Sequence, residues 1–568
     1  MKKKIIIGVS ALVVVALGVL YFYRAYLFGD DLSKYVPKNA AFVVKIDIMG
    51  MGKKLDVKGI TESDDVKDLL KEIPEKQREL VEKVIKDPKT SGLNIATAPI
   101  IFGYTNSDNA PITAVLLGIS DKGKLKDFIT KVSDDEIRIK DADSEGFYKV
   151  VEDKGGAIYF NSKIAVILVD VTRKDVNFKK ERDKIAKMEK ANSILSNEEY
   201  ASVNKQTNDI MVYLNKKELP TYYKNANPYG SVEEAEMIKN GLQFYPYAYT
   251  INFIEDAISF KTFSSNDKDA PAILREGGLT DNELKNLAPN GSPLAYFTLN
   301  MDFKKIIDLA TSIAKQIPGN PFNSGTDPIE TMAAELQVPK ADLLNIFQGK
   351  MSVAFAGVKM VSKTDPYTLY TSNEPFPLIN AWVSLGNKDA AIKILEQAVT
   401  NGALVNNGGI YSENAVSYES YNTDPYAETP AMPDAAPMPS ANTNAKYFIA
   451  IKGNDLIFST DADAINSKMQ GSDWSSLNTE LGKSNASAKP ATFFVDLRYK
   501  SIENLVSNLS PSSTNDLEKY KSVLSEFKEL SGYGDNKGSE MILKFTEEKK
   551  NSLQRIVDIA KKAAKMTR

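Results

Sequence analysis

The chain has 568 residues, too many for one compact domain, and its 43% hydrophobic and 26% charged residues are the balance of globular protein. It holds no cysteine and no histidine, which excludes disulfides, thiolate nucleophiles, the usual zinc sites and Ser-His-Asp catalysis. A net charge of −3 with Lys and Arg spread along the chain gives no nucleic-acid footprint, and no cofactor is expected.

Lys2, Lys3 and Lys4 precede an unbroken apolar run from Ile5 to Tyr23. At about 1.5 Å per residue that run spans roughly 28 Å, the hydrocarbon thickness of a bilayer. Tyr21, Phe22, Tyr23 and Arg24 close it as an aromatic belt with a charge, and no small-residue cleavage site follows. The expectation is one uncleaved transmembrane helix within residues 1–28, with residues 5–23 as the membrane contact. The three lysines place the bulk outside the cytoplasmic membrane, facing the periplasm or the cell exterior.

The segments beyond it recur in order. A turn and strand from Pro37 to Asp47 resemble those from Pro289 to Asn300, and Pro111 to Gly118 resembles Pro377 to Gly386. The hairpin from Ala157 to Asp170, turning at Asn161, Ser162 and Lys163, has a counterpart from Tyr447 to Asp461 turning at Gly453 and Asn454. Strands from Asp209 to Asn215 and from Pro490 to Leu497 follow, and each half closes on a further strand, Ala257 to Phe263 and Glu540 to Phe545. The predicted fold is α+β: two tandem copies of a largely antiparallel sheet with helices packed on one face, preceded by the transmembrane helix. The modules span 29–270 and 287–550, with a linker at 271–286 and a C-terminal helix at 551–568. A single continuous sheet is the alternative.

Residues 411–445 contain no Lys or Arg and hold Pro425, Pro430, Pro433, Pro437 and Pro439, the composition of a disordered insertion. In the C-terminal helix Leu553, Ile556, Val557, Ala560, Ala563 and Ala564 share a face, expected to dock on the second module.

The segment from Leu32 to Asp47 (LSKYVPKNAAFVVKID), placed after a signal-like helix, resembles the opening of a family of Bacteroidetes envelope proteins carrying a domain of unknown function. The resemblance implies an envelope location and carries over no catalytic or binding residue.

Two candidate sites arise from the residues themselves. Asp141, Asp143, Glu145 and Glu152 have the spacing of a calcium loop, with Gly146 at its sharp turn. Against it, Lys149 puts a cation among the ligands, and strand-like alternation flanks the loop in place of helices; a polar hairpin turn is the plainer expectation. Tyr245, Tyr247 and Tyr249 alternate along a strand and form an aromatic candidate for ligand or glycan contact. Ser312 to Lys315 fits S-x-x-K, but no Lys-Thr-Gly follows, so the penicillin-binding signature is broken. The leading expectation is a non-enzymatic envelope ectodomain that binds or scaffolds an envelope protein or glycan. A carboxylate-dependent hydrolase of an envelope polymer and a membrane-proximal assembly chaperone are the alternatives.

Overall fold

A computed structural model describes residues 31–56, 75–133, 137–172, 176–227, 230–231, 241–242, 245–265, 272–286, 293–316, 328–364, 371–414, 446–472, 474, 486–509, 514–546 and 549–567. The chain folds as two units, the first formed by residues 1–270 with 547–568 and the second by residues 271–546.

The first unit carries β1 (Ala40–Ile46), β2 (Ile100–Thr105), β3 (Pro111–Gly118), β4 (Tyr148–Asp153), β5 (Gly156–Phe160), β6 (Ile164–Asp170), β7 (Ile210–Leu214), β8 (Ala248–Ile254) and β9 (Ala257–Phe263). They pair antiparallel in the order β4-β5-β6-β3-β2-β1-β7-β8-β9. At the β5–β6 turn the Asn161 side chain accepts the N–H groups of Lys163 and Ile164 at 2.8 and 2.9 Å, the turn chemistry its sequence announces. β5 and β6 are buried on both faces. Tyr159, Val166 and Leu168 enter one core with Phe102 and Tyr213, beneath Phe178 and Tyr200 of flanking helices. Phe160, Ala165 and Ile167 enter another with Leu125 and Phe128 of the helix Lys122–Val132.

The second unit carries β10 (Ala295–Asn300), β11 (Phe347–Thr364), β12 (Thr371–Leu385), β13 (Leu404–Asn407), β14 (Ile410–Glu413), β15 (Phe448–Lys452), β16 (Asp455–Ser459), β17 (Ala491–Asp496), β18 (Phe527–Asp535) and β19 (Gly538–Phe545). Their antiparallel order is β13-β14-β15-β16-β12-β11-β10-β17-β18-β19. The irregularity early in β11 sits at Gly349, whose φ is +98°; a Cβ there would lie 1.7 Å from the Met301 carbonyl oxygen. Tyr296, Trp382, Trp474 and Phe494 fill the larger core, while Leu385, Ala390 and Ala391 form a smaller one with Val338 and Ile346.

Two expectations are corrected, and a third falls outside the described residues. The 19 strands make one antiparallel sheet, not two separate sheets. A strand's edge consists of backbone N–H and C=O groups, so side-chain pattern does not announce how many strands share a sheet. Helices do not keep to one face: the uninterrupted apolar run of β6 is the signature of a strand covered on both sides. The transmembrane helix is not found among the described residues, where no helix is long and apolar enough to cross a membrane. Residues 5–23 and most of the 411–445 insertion lie outside the described residues, although Tyr411 is a buried residue of β14.

The C-terminal helix, Ser552–Thr567, belongs to the first unit and not the second. The Asn551 side chain donates to the Phe253 carbonyl at 3.1 Å, and the face it buries is that of Ser552 and Arg555, with Ile556 exposed.

Candidate binding cleft

At one end of the first unit β1 begins, β7 and β9 finish, and the chain enters β8. These strand ends, with two helices, surround a cleft of about 1440 Å³. The helix Phe178–Ala186 starts where the Asn177 side chain accepts the Lys180 N–H, and its C-terminal end gives the cleft Asp183 and Lys184. The helix Glu198–Asn204 is capped the same way by Asn197 and supplies Glu198, Glu199 and Ser202. Asn215 turns the chain out of β7 by accepting the Lys217 N–H, which sets Lys216, Lys217 and Glu218 along the rim. Tyr247 contributes its hydroxyl, 3.4 Å from Ser202 Oγ, while its ring packs among Tyr213 and Phe263.

The lining holds lysines and carboxylates in equal measure, separated by amides and hydroxyls. Some are already engaged: Lys187 meets Glu145 at 2.9 Å, Lys216 reaches Ser265 at 3.4 Å, and Asp183 is held by Arg182. Lys38, Lys217, Glu189, Glu198 and Glu218 have no ion-pair partner among the described residues.

Arg182 is the residue that sequence reasoning passed over. It is 1% exposed, and its guanidinium lies 4.5 Å from the Phe147 ring centroid and 4.9 Å from that of Tyr159. Its nitrogens donate to Asp143 at 2.7 Å and to Asp183 at 2.9 Å. Burial pushes its proton affinity down, but the hydrogen bonds to Asp183 and Asp143 outweigh that and hold it above the ordinary guanidinium value. One sequence signal existed: a single arginine in a lysine-rich helix suits a planar, stacked, bidentate role that lysine cannot fill. Beside it Glu181, also buried, accepts from the Tyr104 hydroxyl at 2.8 Å; burial, then the Glu181 charge, push the Tyr104 hydroxyl well up.

The calcium-loop candidates fall beside this arginine. Asp143 accepts the N–H groups of Glu145 and Phe147 and pairs with Arg182; Glu145 pairs with Lys187, and Glu152 with Lys149 at 2.6 Å. Asp141 is fully exposed, 3.8 Å from Lys126. The four carboxylates thus face four different cations, and among the described residues no acidic cluster is arranged to hold a metal. The aromatic candidates are likewise separated. Tyr245 is exposed, Tyr247 is in the core and at the cleft, and Tyr249 packs against Phe260 with centroids 6.0 Å apart.

The description "Domain of unknown function (DUF4836)" matches residues 33–393, more than half of the chain. The chain belongs to the DUF4836 family. No curated protein matches it, and no solved structure does. The family match takes in every cleft segment from Pro37 to Ser265, so the cleft lies within the family's domain.

Proposed function

We propose that this member of the DUF4836 family is a non-enzymatic binding protein of the cell envelope, with the cleft of the first unit as its recognition site. The observation that supports the reading is the cleft's size together with its lining. Small-molecule pockets run to roughly 300–1,000 Å³ and are mostly apolar. A cleft of about 1440 Å³ lined by charges, amides and hydroxyls suits a segment of a hydrophilic polymer better than a metabolite. The envelope location and the membrane contact through residues 5–23 belong to the same proposal and rest on the apolar run in the sequence.

The absence of cysteine makes the test clean, because Ser202→Cys introduces the chain's single thiol. Maleimide labelling of that thiol is expected to slow when solubilised envelope polymer is added. A thiol placed away from the cleft, at Asp256 in the β8–β9 turn, is expected to react at an unchanged rate. Equal rates at Ser202→Cys with and without the polymer would remove the cleft as the recognition site.

A further inference from the structure

Resting on that binding reading, we infer that the cleft takes a polypeptide segment carrying positive and negative side chains in close succession. The groups at the cleft without an ion-pair partner among the described residues are of both signs: Lys38 and Lys217 against Glu189, Glu198 and Glu218. Each carries a charge that no neighbour among the described residues compensates. A polymer of one sign gains at two or three of these and is repelled at the others. A polymer that carries both signs has a partner for each kind of group, and the placing of those groups supplies its specificity.

Two other hydrophilic or amphiphilic classes fit less well. An acyl chain has no charge to offer a lining in which ten of twenty side chains are charged, and it would strip water from them without replacing it. A glycan gains by covering an aromatic face with a sugar ring. Among the described residues Tyr247 is the only aromatic in the lining, and 9% of its surface is exposed, so it offers no platform to be covered. A peptide needs no platform. Its backbone N–H and C=O groups require side-chain acceptors and donors, which Asn192, Ser264 and Tyr247 provide between the charges.

The test uses the full chain and calorimetric titration with four probes: a blocked peptide of alternating lysine and glutamate, polylysine, polyglutamate and a chito-oligosaccharide. The alternating peptide is expected to bind most tightly, and more weakly as salt is raised, because exposed pairs are screened within about a Debye length of roughly 8–10 Å. Lys38→Glu with Lys217→Glu should cut its affinity by about tenfold or more and turn the preference toward polylysine. Both lysines are exposed, and an unchanged melting temperature would verify that the variant folds. Tighter binding of the oligosaccharide or of a one-sign peptide, no binding of the alternating peptide, or an affinity indifferent to the reversals would each overturn the inference. If envelope polymer still protects Ser202→Cys while the alternating peptide fails, the ligand class falls and the binding reading stands. If protection fails as well, both fall.

Discussion

One row of directly opposed residues, followed across the buried face of each unit, shows two ways of filling one strand order. In the first unit it runs through Tyr213, Val43, Phe102, Ala114, Leu168 and Ala157. In the second it runs through Phe494, Tyr296, Ala354, Asn380, Ser459 and Phe448. Both rows begin on an aromatic residue, and then they part. Where the first unit opposes Ala114 to Leu168, the second opposes Asn380 to Ser459, joined side chain to side chain at 2.8 Å. The neighbouring row of the second unit adds Thr298 against Thr492 at 2.5 Å. The backbone ladder is indifferent to this exchange, because its hydrogen bonds involve no side chain. The energetics are not indifferent. Apolar contact gains with area, whereas a buried hydroxyl pair nets about 1 kcal/mol and penalises any register that separates its members. The first unit therefore draws its stability more from packing, and the second more from mutual pairing.

The largest effect expected from that contrast is at Phe102, fully buried and stacked on Tyr104 with centroids 5.8 Å apart. Phe102→Ala should destabilise the first unit by about 3–5 kcal/mol, the range for deleting a core aromatic ring. Denaturant titration can separate the units, since both tryptophans, Trp382 and Trp474, are buried in the second. Tryptophan emission reports that unit, while a thiol probe placed in the first reports the other. A cost below about 1 kcal/mol would mean that packing does not distinguish the units.

A smaller and differently shaped effect is expected at the threonine pair. Thr298→Val alone leaves the Thr492 hydroxyl buried without its partner, at a cost of about 1–3 kcal/mol. Thr298→Val with Thr492→Val removes both polar groups at nearly constant shape and should fall within about 1 kcal/mol of wild type. The diagnostic is the sign of the coupling in a double-mutant cycle followed by tryptophan emission. Additive costs would show that the hydroxyls act singly, and the contrast between the two rows would lose its basis.

The sequence exposed those parts of the fold that side chains encode. Asn161 and Gly453 mark the β5–β6 and β15–β16 turns, the first through its side-chain oxygen and the second through a φ of +62°. The alternation of Ile210 to Leu214 marks a strand with one buried face. What stayed hidden depends on the backbone or on distant segments meeting. Sheet continuity is a matter of strand edges, which carry no residue signature. The C-terminal helix announces itself by its Leu553 and Ile556 stripe, yet it is seated by the Asn551 hydrogen bond and through Ser552 and Arg555, polar residues whose burial a hydrophobic pattern does not reveal. The cleft is assembled from segments between Pro37 and Ser265, each an ordinary polar turn or helix end by itself. The calcium-like spacing misleads for a related reason: spacing shows where carboxylates fall along the chain and not which cations approach them. Arg182, almost 40 residues further on, decides how Asp143 is used.

The smallest effect concerns that carboxylate and its dependence on pH. Burial pushes the Asp143 carboxyl up, but the Phe147 N–H, the Arg182 hydrogen bond and the Arg182 charge outweigh it and hold it below the ordinary carboxylate range. A carboxyl depressed in the folded state binds its proton more weakly there than when unfolded. Its stabilising contribution is therefore complete above the unfolded value of about 3.9 and fades as pH falls through the lower folded value. Asp143→Asn keeps an oxygen for the N–H groups of Glu145 and Phe147 but replaces the oxygen facing Arg182 with an NH2 donor, so both the charge and the hydrogen bond to Arg182 are removed. Because the Asp143 side chain is 27% exposed, water screens much of the pairing, and the variant should lose about 1 kcal/mol at neutral pH. The melting temperatures of variant and wild type should converge as the pH is taken below about 4, where the wild-type carboxylate is itself being protonated. Asp496, held low in the second unit by its hydrogen bonds from Arg498 against the upward push of burial, gives the matching experiment there. A difference at Asp143 that stays constant down to low pH would show that Arg182 is balanced by Asp183 alone. The hairpin from Asp141 to Phe147 would then be held by its turn hydrogen bonds and not by charge.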